Sequence, residues 1–227
     1  MKKNPIIIAL DVEGAEQARE IVDRLGSSVD FYKVGMELYA GEGMTFVREL
    51  LDRGKRVFLD LKLYDIGETV RRAVARIAQS DVTFLTVHGS GAVMRAASEG
   101  RGASGLQLLG VTVLTSFDQQ DLTDLGYPCS PADLVALRAR NAMAAGLNGV
   151  ICSPLEVSGV RIIMGKQAIL VTPGVRSRSA ESGDQKRVAT PEEALAAGAD
   201  YVVVGRQVTR AKDPQAEANR ILRELGR

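Results

Sequence analysis

Eight short apolar runs rich in β-branched residues recur along this chain, each followed by a stretch with helical spacing. They read "PIIIAL", "FYKVG", "RVFLDL", "TFLTVH", "LQLLGVTVL", "GVIC", "AILVT" and "DYVVVG". Parallel neighbours need a crossover, so strands that alternate with helices build a parallel sheet with right-handed connections. Eight such units are the number that closes into a (β/α)8 TIM barrel with the helices as an outer ring. The spacing predicts helices over 15–25, 43–53, 69–80, 92–99, 131–145, 155–164, 191–197 and 214–225. Three of these start on a cap signal: Ser130, Thr190 and Asp213, each followed by proline. A doubly wound open sheet is the alternative. Against it, the first strand runs into "DVEGAEQ", which is no glycine-rich dinucleotide fingerprint, and no acidic residue stands where a ribose ligand is required.

A length of 227 residues suits one such barrel, and neither a linker nor a repeat divides the chain. Residues 1–227 are therefore read as a single catalytic-type barrel domain. Hydrophobic residues make up 45% and aromatics only 4%, so the expected core is large and mainly aliphatic. One polar stretch is long for a loop: residues 173–190, "PGVRSRSAESGDQKRVAT", between the seventh strand and its helix. The remainder of the chain beyond it is too short for a second domain, so an active-site lid is expected there.

The formal net charge is +1 and the Lys and Arg residues are scattered. That removes the broad basic footprint of a binder of nucleic acid or anionic membrane, so an anionic ligand must be met locally. Cys129 and Cys152 form no CxxC pair, which suggests neither a redox motif nor a zinc site and fits a reducing cytoplasm. The opening "MKKNPIIIAL" is interrupted by Asp11 before a signal core or membrane span is complete, so no export and no membrane anchor are expected.

The third strand carries the chemistry. In "FLDLKLYDI", alternation puts Phe58, Asp60 and Lys62 on one face and Leu59, Leu61 and Leu63 on the other. The leucines suit the helix layer, which turns Asp60 and Lys62 into the barrel at its carboxyl end, the rim where active sites of this fold lie. A simple structural ion pair would also account for two such charges. However, Asp11 and Lys33, at the ends of the first and second strands, converge on the same rim, so charges of alternating sign gather there. Opposite charges about 4 Å apart attract by roughly 4 kcal/mol at an effective dielectric of 20. Such an array can donate a proton and oppose or stabilise charge on a substrate without reorganising during the reaction.

The loops after the seventh and eighth strands, a common phosphate site in this fold, carry Gly174 with Arg176 and Gly205 with Arg206. Two guanidinium groups there could grip one phosphate. The sole histidine, His88, ends the fourth strand; a hydrogen-bonded structural histidine and a catalytic one both fit. No second His or Cys completes a nucleophilic triad or a transition-metal cage. Thr115 and Ser116 offer hydroxyls to a heterocycle or sugar, or else cap a helix over "FDQQDL".

These residues, taken in order through "IIALDV", "KVGMELY", "FLDLKLYDIGETV", "VHGSG", "VTVLTS", "VTPGVR", "GDQKR" and "YVVVGRQVT", resemble the orotidine 5'-monophosphate decarboxylase family. The resemblance implies conversion of orotidine 5'-monophosphate to uridine 5'-monophosphate by a homodimeric barrel with no metal and no organic cofactor. It makes Lys62 the proton donor to ring carbon 6, sets Asp60 against the departing carboxylate, and gives the ribose to Lys33 and Asp11. Asp65 and Thr69 would reach into the partner subunit's site. Thr115 would contact the pyrimidine, and Arg176, Gln185, Gly205 and Arg206 the phosphate. Tyr64 and Gly67 acquire no role. The alternative is a metal-dependent sugar-phosphate decarboxylase or aldolase of the same superfamily, which shares the DxKxxD element but places an acidic metal ligand where this chain has Lys33. A catalytically silent phosphate-binding barrel is a third possibility.

Overall fold

The structure, a computed structural model, describes residues 4–177 and 189–226. Eight strands, β1 (Ile6–Ala9), β2 (Phe31–Gly35), β3 (Arg56–Leu63), β4 (Phe84–Val87), β5 (Gln107–Val111), β6 (Gly149–Ile151), β7 (Ile169–Thr172) and β8 (Tyr201–Val204), form one parallel sheet. They pair in sequence order, and β1 closes on β8 in the register Ile6↔Val202 to Ile8↔Val204. A closed parallel sheet buries both faces of every strand, which is why β1 is four consecutive buried apolar residues and not an alternating run.

The outer ring holds α1 (Ala15–Leu25), α2 (Met36–Asp52), α3 (Gly67–Ile77), α4 (Gly91–Arg101), α5 (Gln119–Asp124), α6 (Pro131–Ala144), α7 (Val157–Met164), α8 (Pro191–Ala196), α9 (Arg206–Thr209) and α10 (Pro214–Glu224). A short 3₁₀ turn, Pro154–Glu156, leads into α7. Apolar residues at helical spacing, such as Ala18, Ile21, Val22 and Leu25 of α1, face the sheet. The expected caps are in place: Ser130 accepts from the Asp133 N–H, Asp213 from the Ala216 N–H, and Thr190 forms a capping box with Glu193. Among the described residues no helix is long and apolar enough to cross a membrane.

Two expectations need correction. Helix α2 begins at Met36, seven residues before the predicted 43, because "MELYA" supports helix at once and the glycine-rich "GEG" breaks it at Gly43 (φ 58°) and then lets it resume. Helix α5 overlaps the helix over "FDQQDL" that the sequence offers only as an alternative, while α9 has no counterpart in the sequence pattern, four residues being too short for an apolar period to show. The core is mainly aliphatic, as expected, with its aromatic rings gathered mostly in one layer. Inside the barrel Phe31, Phe58, Phe84 and Tyr201 pack together, with Phe84 5.0 Å from Phe31 and 5.4 Å from Tyr201 between ring centroids. The chain concentrates its few aromatic rings where the narrow interior needs volume. Below them Arg56 lies 4.3 Å over the Phe31 ring and pairs with Asp30, which puts a polar cover on the amino end of the barrel.

Candidate active site

Above the aromatic layer, at the carboxyl ends of the strands, opens a cavity of about 450 Å³, within the usual size of a small-molecule site. Each strand contributes what its terminal residues dictate. β2 brings Lys33, whose side chain is only 10% exposed, and β3 brings Asp60, 13% exposed. Lys33 Nζ lies 2.7 Å from Asp11 Oδ1 and 3.7 Å from Asp60 Oδ2, and Lys62 Nζ lies 2.9 Å from the same Asp60 oxygen. The four charges therefore form a continuous Asp11–Lys33–Asp60–Lys62 row inside one chain. Gly35 makes room for it: a Cβ there would stand 2.8 Å from Asp11 Oδ1 and 3.0 Å from Lys33 Nζ.

Burial alone would raise the Asp60 carboxyl. The Lys33 charge, then Lys62, then the hydroxyl of Thr86 outweigh it and hold the group below its ordinary range. Asp60 is thus a largely buried carboxylate fixed between two ammonium groups. An anion placed beside it meets both attraction and repulsion at short range.

The local route to this geometry differs from simple strand alternation. The β3–β4 register breaks between Leu59 and Leu63, and Lys62 takes a left-handed backbone (φ 47°), the only positive φ at a non-glycine among the described residues. Even so, Phe58, Asp60 and Lys62 all line the cavity, while Leu61 and Leu63 pack toward the helices.

The opposite wall comes from the loops after β5, β7 and β8. Buried Thr115 lines it, and so do Gly174, Arg176, Gly205 and Arg206. Gly174 turns the chain out of β7 at φ 75°, a conformation that favours glycine. Val175 bridges to Ala189, and the Arg176 N–H donates to the Ala189 carbonyl. Gln185 lies outside the described residues, as does most of the expected lid. The alternative role for Thr115 and Ser116 as helix caps does not hold: Asp118 caps α5, in a capping box with Asp121.

Asp65 and Thr69 are not in this chain's cavity. Asp65 is exposed beyond β3 and its carboxylate accepts from the Ile66 N–H, while Thr69 sits in the first turn of α3. His88 lies just past β4 and does not line the cavity either. Its Nδ1 accepts from the Ser90 N–H and its ring stacks on Tyr64 with centroids 4.1 Å apart. The cavity also contains residues that sequence reasoning passes over. Arg210 follows Arg206 at helical spacing in "GRQVTR", a readable signal; Ile151 and Val203 give the floor an apolar side that only the closed barrel brings together.

A closed eight-stranded barrel with a charged mouth at the carboxyl ends of its strands defines a (β/α)8-barrel enzyme. A family model described as "Orotidine 5'-phosphate decarboxylase / HUMPS family" matches residues 4–221, and the chain belongs to that family. The orotidine 5'-phosphate decarboxylase of Rhodopseudomonas palustris (strain HaA2) is 49% identical over 98% of this chain and 95% of the relative. That of Afipia carboxidovorans is 50% identical over 97% of this chain and 94% of the relative. Among solved structures, orotidine 5'-phosphate decarboxylase from Lactobacillus acidophilus superposes with a TM-score of 0.85 at 36% identity, covering 99% of this chain and 100% of that one.

Proposed function

We propose that this chain decarboxylates orotidine 5'-monophosphate to uridine 5'-monophosphate in the cytoplasm, as a step of pyrimidine synthesis, with neither metal nor organic cofactor. The observation that carries the reading is the buried Asp60 carboxylate held between the Lys33 and Lys62 ammonium groups. When carbon dioxide leaves, the bond between ring carbon 6 and the carboxylate carbon breaks and both electrons stay on carbon 6. That pair lies in the ring plane, poorly placed for delocalisation, so a cation already fixed beside it is the available stabiliser. Lys62 Nζ then gives its proton to carbon 6, and the resulting amine regains one from water after product leaves. Asp60 faces the substrate carboxylate and favours its departure. Lys33 and Asp11 hold the ribose, Thr115 meets the pyrimidine, and Arg176, Gln185, Gly205 and Arg206 bind the phosphate. Phosphate binding, remote from the reacting bond, supplies the energy that closes segment 173–190 over the site.

The same reading makes the enzyme a homodimer in which Asp65 and Thr69 complete the partner's site. Exposed apolar side chains on the segments after β2 and β3 support it: Met36, Tyr64 and Ile66 are 60%, 68% and 73% exposed, and the last two flank Asp65 in the chain. Large apolar side chains left open to water beside Asp65 suit a protein interface.

The assay follows loss of orotidylate absorbance with purified protein after exhaustive chelation. Turnover should be undiminished; turnover that vanishes and returns with magnesium would instead favour the metal-dependent branch of the superfamily. Lys62→Ala should lower kcat by at least about 10³-fold while leaving affinity for uridine 5'-monophosphate within about threefold, since ribose and phosphate contacts lie elsewhere. A near-normal rate in this variant would refute the role of Lys62.

A further inference from the structure

Lys62 is held in a backbone conformation that L residues avoid, at the point where the β3–β4 register breaks, and its N–H needs a partner there. The partner is a side chain. The Lys62 N–H donates to Thr86 Oγ1 at 2.9 Å, and the Thr86 hydroxyl donates to Asp60 Oδ1 at 2.8 Å. An amide can only donate, so the hydroxyl proton is left for the carboxylate, and one hydroxyl satisfies both partners. Thr86 is fully buried in β4, one inward-facing position above Phe84, and it does not line the cavity. It therefore reaches the site only through the two residues it binds. Because Thr86 occupies Oδ1, the other carboxylate oxygen, Oδ2, is the one presented to Lys62 and Lys33.

We propose that Thr86 is a positioning residue for the decarboxylation: its hydroxyl locks the left-handed turn at Lys62 and the orientation of Asp60, so that the ammonium and the carboxylate stand in register before substrate arrives. This rests on the role given to Lys62 under Proposed function. A site whose reacting groups are fixed in advance spends no energy ordering them in the transition state, and small displacements of those groups cost rate more than they cost binding. Neither isosteric loss of the hydroxyl nor its shift by a fraction of an ångström touches the ribose or phosphate contacts.

The test compares Thr86→Val, which keeps the shape and removes the hydroxyl, with Thr86→Ser, which keeps the hydroxyl. Wild-type protein is assayed first on orotidine 5'-monophosphate, so that absence of turnover there counts against the proposed reaction and not against Thr86. Thr86→Val should lose kcat on the order of 100-fold with KM and uridine 5'-monophosphate affinity nearly unchanged, and Thr86→Ser should recover most of the rate. A valine variant with wild-type kcat overturns the proposal. So does a serine variant as slow as the valine one, or a loss that falls on KM alone. If Thr86→Val does not fold, Thr86→Ala takes its place; if neither folds while Thr86→Ser does, the hydroxyl serves folding and not positioning, and the proposal fails.

Discussion

The lone imidazole of this chain gives the upper rim its own pH reporter. Burial, and then the charge of Arg138, push His88 below the ordinary imidazole value, because a partly enclosed ring near a cation is easier to keep neutral. A group whose folded pKa is depressed contributes stability above its unfolded pKa of about 6.5, and loses it as pH falls through the folded value. With no other histidine present, the window between the carboxylates and neutrality belongs to His88. Its ring protons in an NMR titration should show a midpoint below about 6.5, and Tm should fall more steeply from pH 7 to pH 5.5 in wild type than in His88→Gln. A midpoint at or above the free value would remove the argument. At this scale the sequence shows which residues meet, because alternation and strand ends place Asp11, Lys33, Asp60 and Lys62 on one rim. It does not show how Lys62 is held. Its backbone partner Thr86 is 24 residues away on another strand, and a break in register between two strands leaves no mark in the pattern of either.

Between elements, the two arginine-bearing loops are tied to one another by the residues next to the arginines. The Ser177 N–H donates to Gln207 Oε1 at 3.1 Å, and Gln207 Nε2 donates to Ser177 Oγ at 3.0 Å and Glu217 Oε1 at 2.7 Å. Arg220 of α10 adds a donor to Ser177 Oγ at 3.1 Å and pairs with Glu217 and Glu224. Ser177, beside Arg176, is thus joined to helices α9 and α10 in one polar block that also includes the neighbour of Arg206. Gln207→Leu takes the acceptor from the buried Ser177 N–H and removes the ties to Ser177 Oγ and Glu217, and should weaken binding of uridine 5'-monophosphate by about tenfold, with kcat within about threefold. Binding of uridine, which has no phosphate, should stay the same; equal weakening of nucleoside and nucleotide would detach the network from the phosphate. None of this block is legible in sequence, because α9 is a single turn and its partners lie 30 and 10 residues from Gln207. The helices with caps at Ser130, Thr190 and Asp213 are legible because each starts on a local signal.

At the scale of the whole molecule, the strand count fixes the architecture: eight alternations close, and β1 meeting β8 leaves no edge to pair elsewhere. Association must then use side chains outside the sheet, and Tyr64 and Ile66, which flank Asp65 in the chain, are among the large apolar ones left exposed. The distances within one chain give this a sharp consequence. Asp11, Lys33, Asp60 and Lys62 meet inside a single protomer, whereas Asp65 stands outside its own cavity, so in the proposed dimer each site takes Lys62 from one protomer and Asp65 from the other. Lys62→Ala and Asp65→Asn should each be inactive alone. Mixed in equal amounts under conditions that exchange subunits, random pairing makes half of the dimers mixed. In a mixed dimer one site has lost both residues, while the other pairs the intact Lys62 of the Asp65→Asn protomer with the intact Asp65 of its partner. About a quarter of all sites should therefore recover wild-type turnover. No recovery after exchange has been verified by mass-tagged subunits would return Asp65 to its own protomer or take it out of the reaction. Recovery above one half would require more than one intact site per mixed dimer and would overturn the shared-site arrangement.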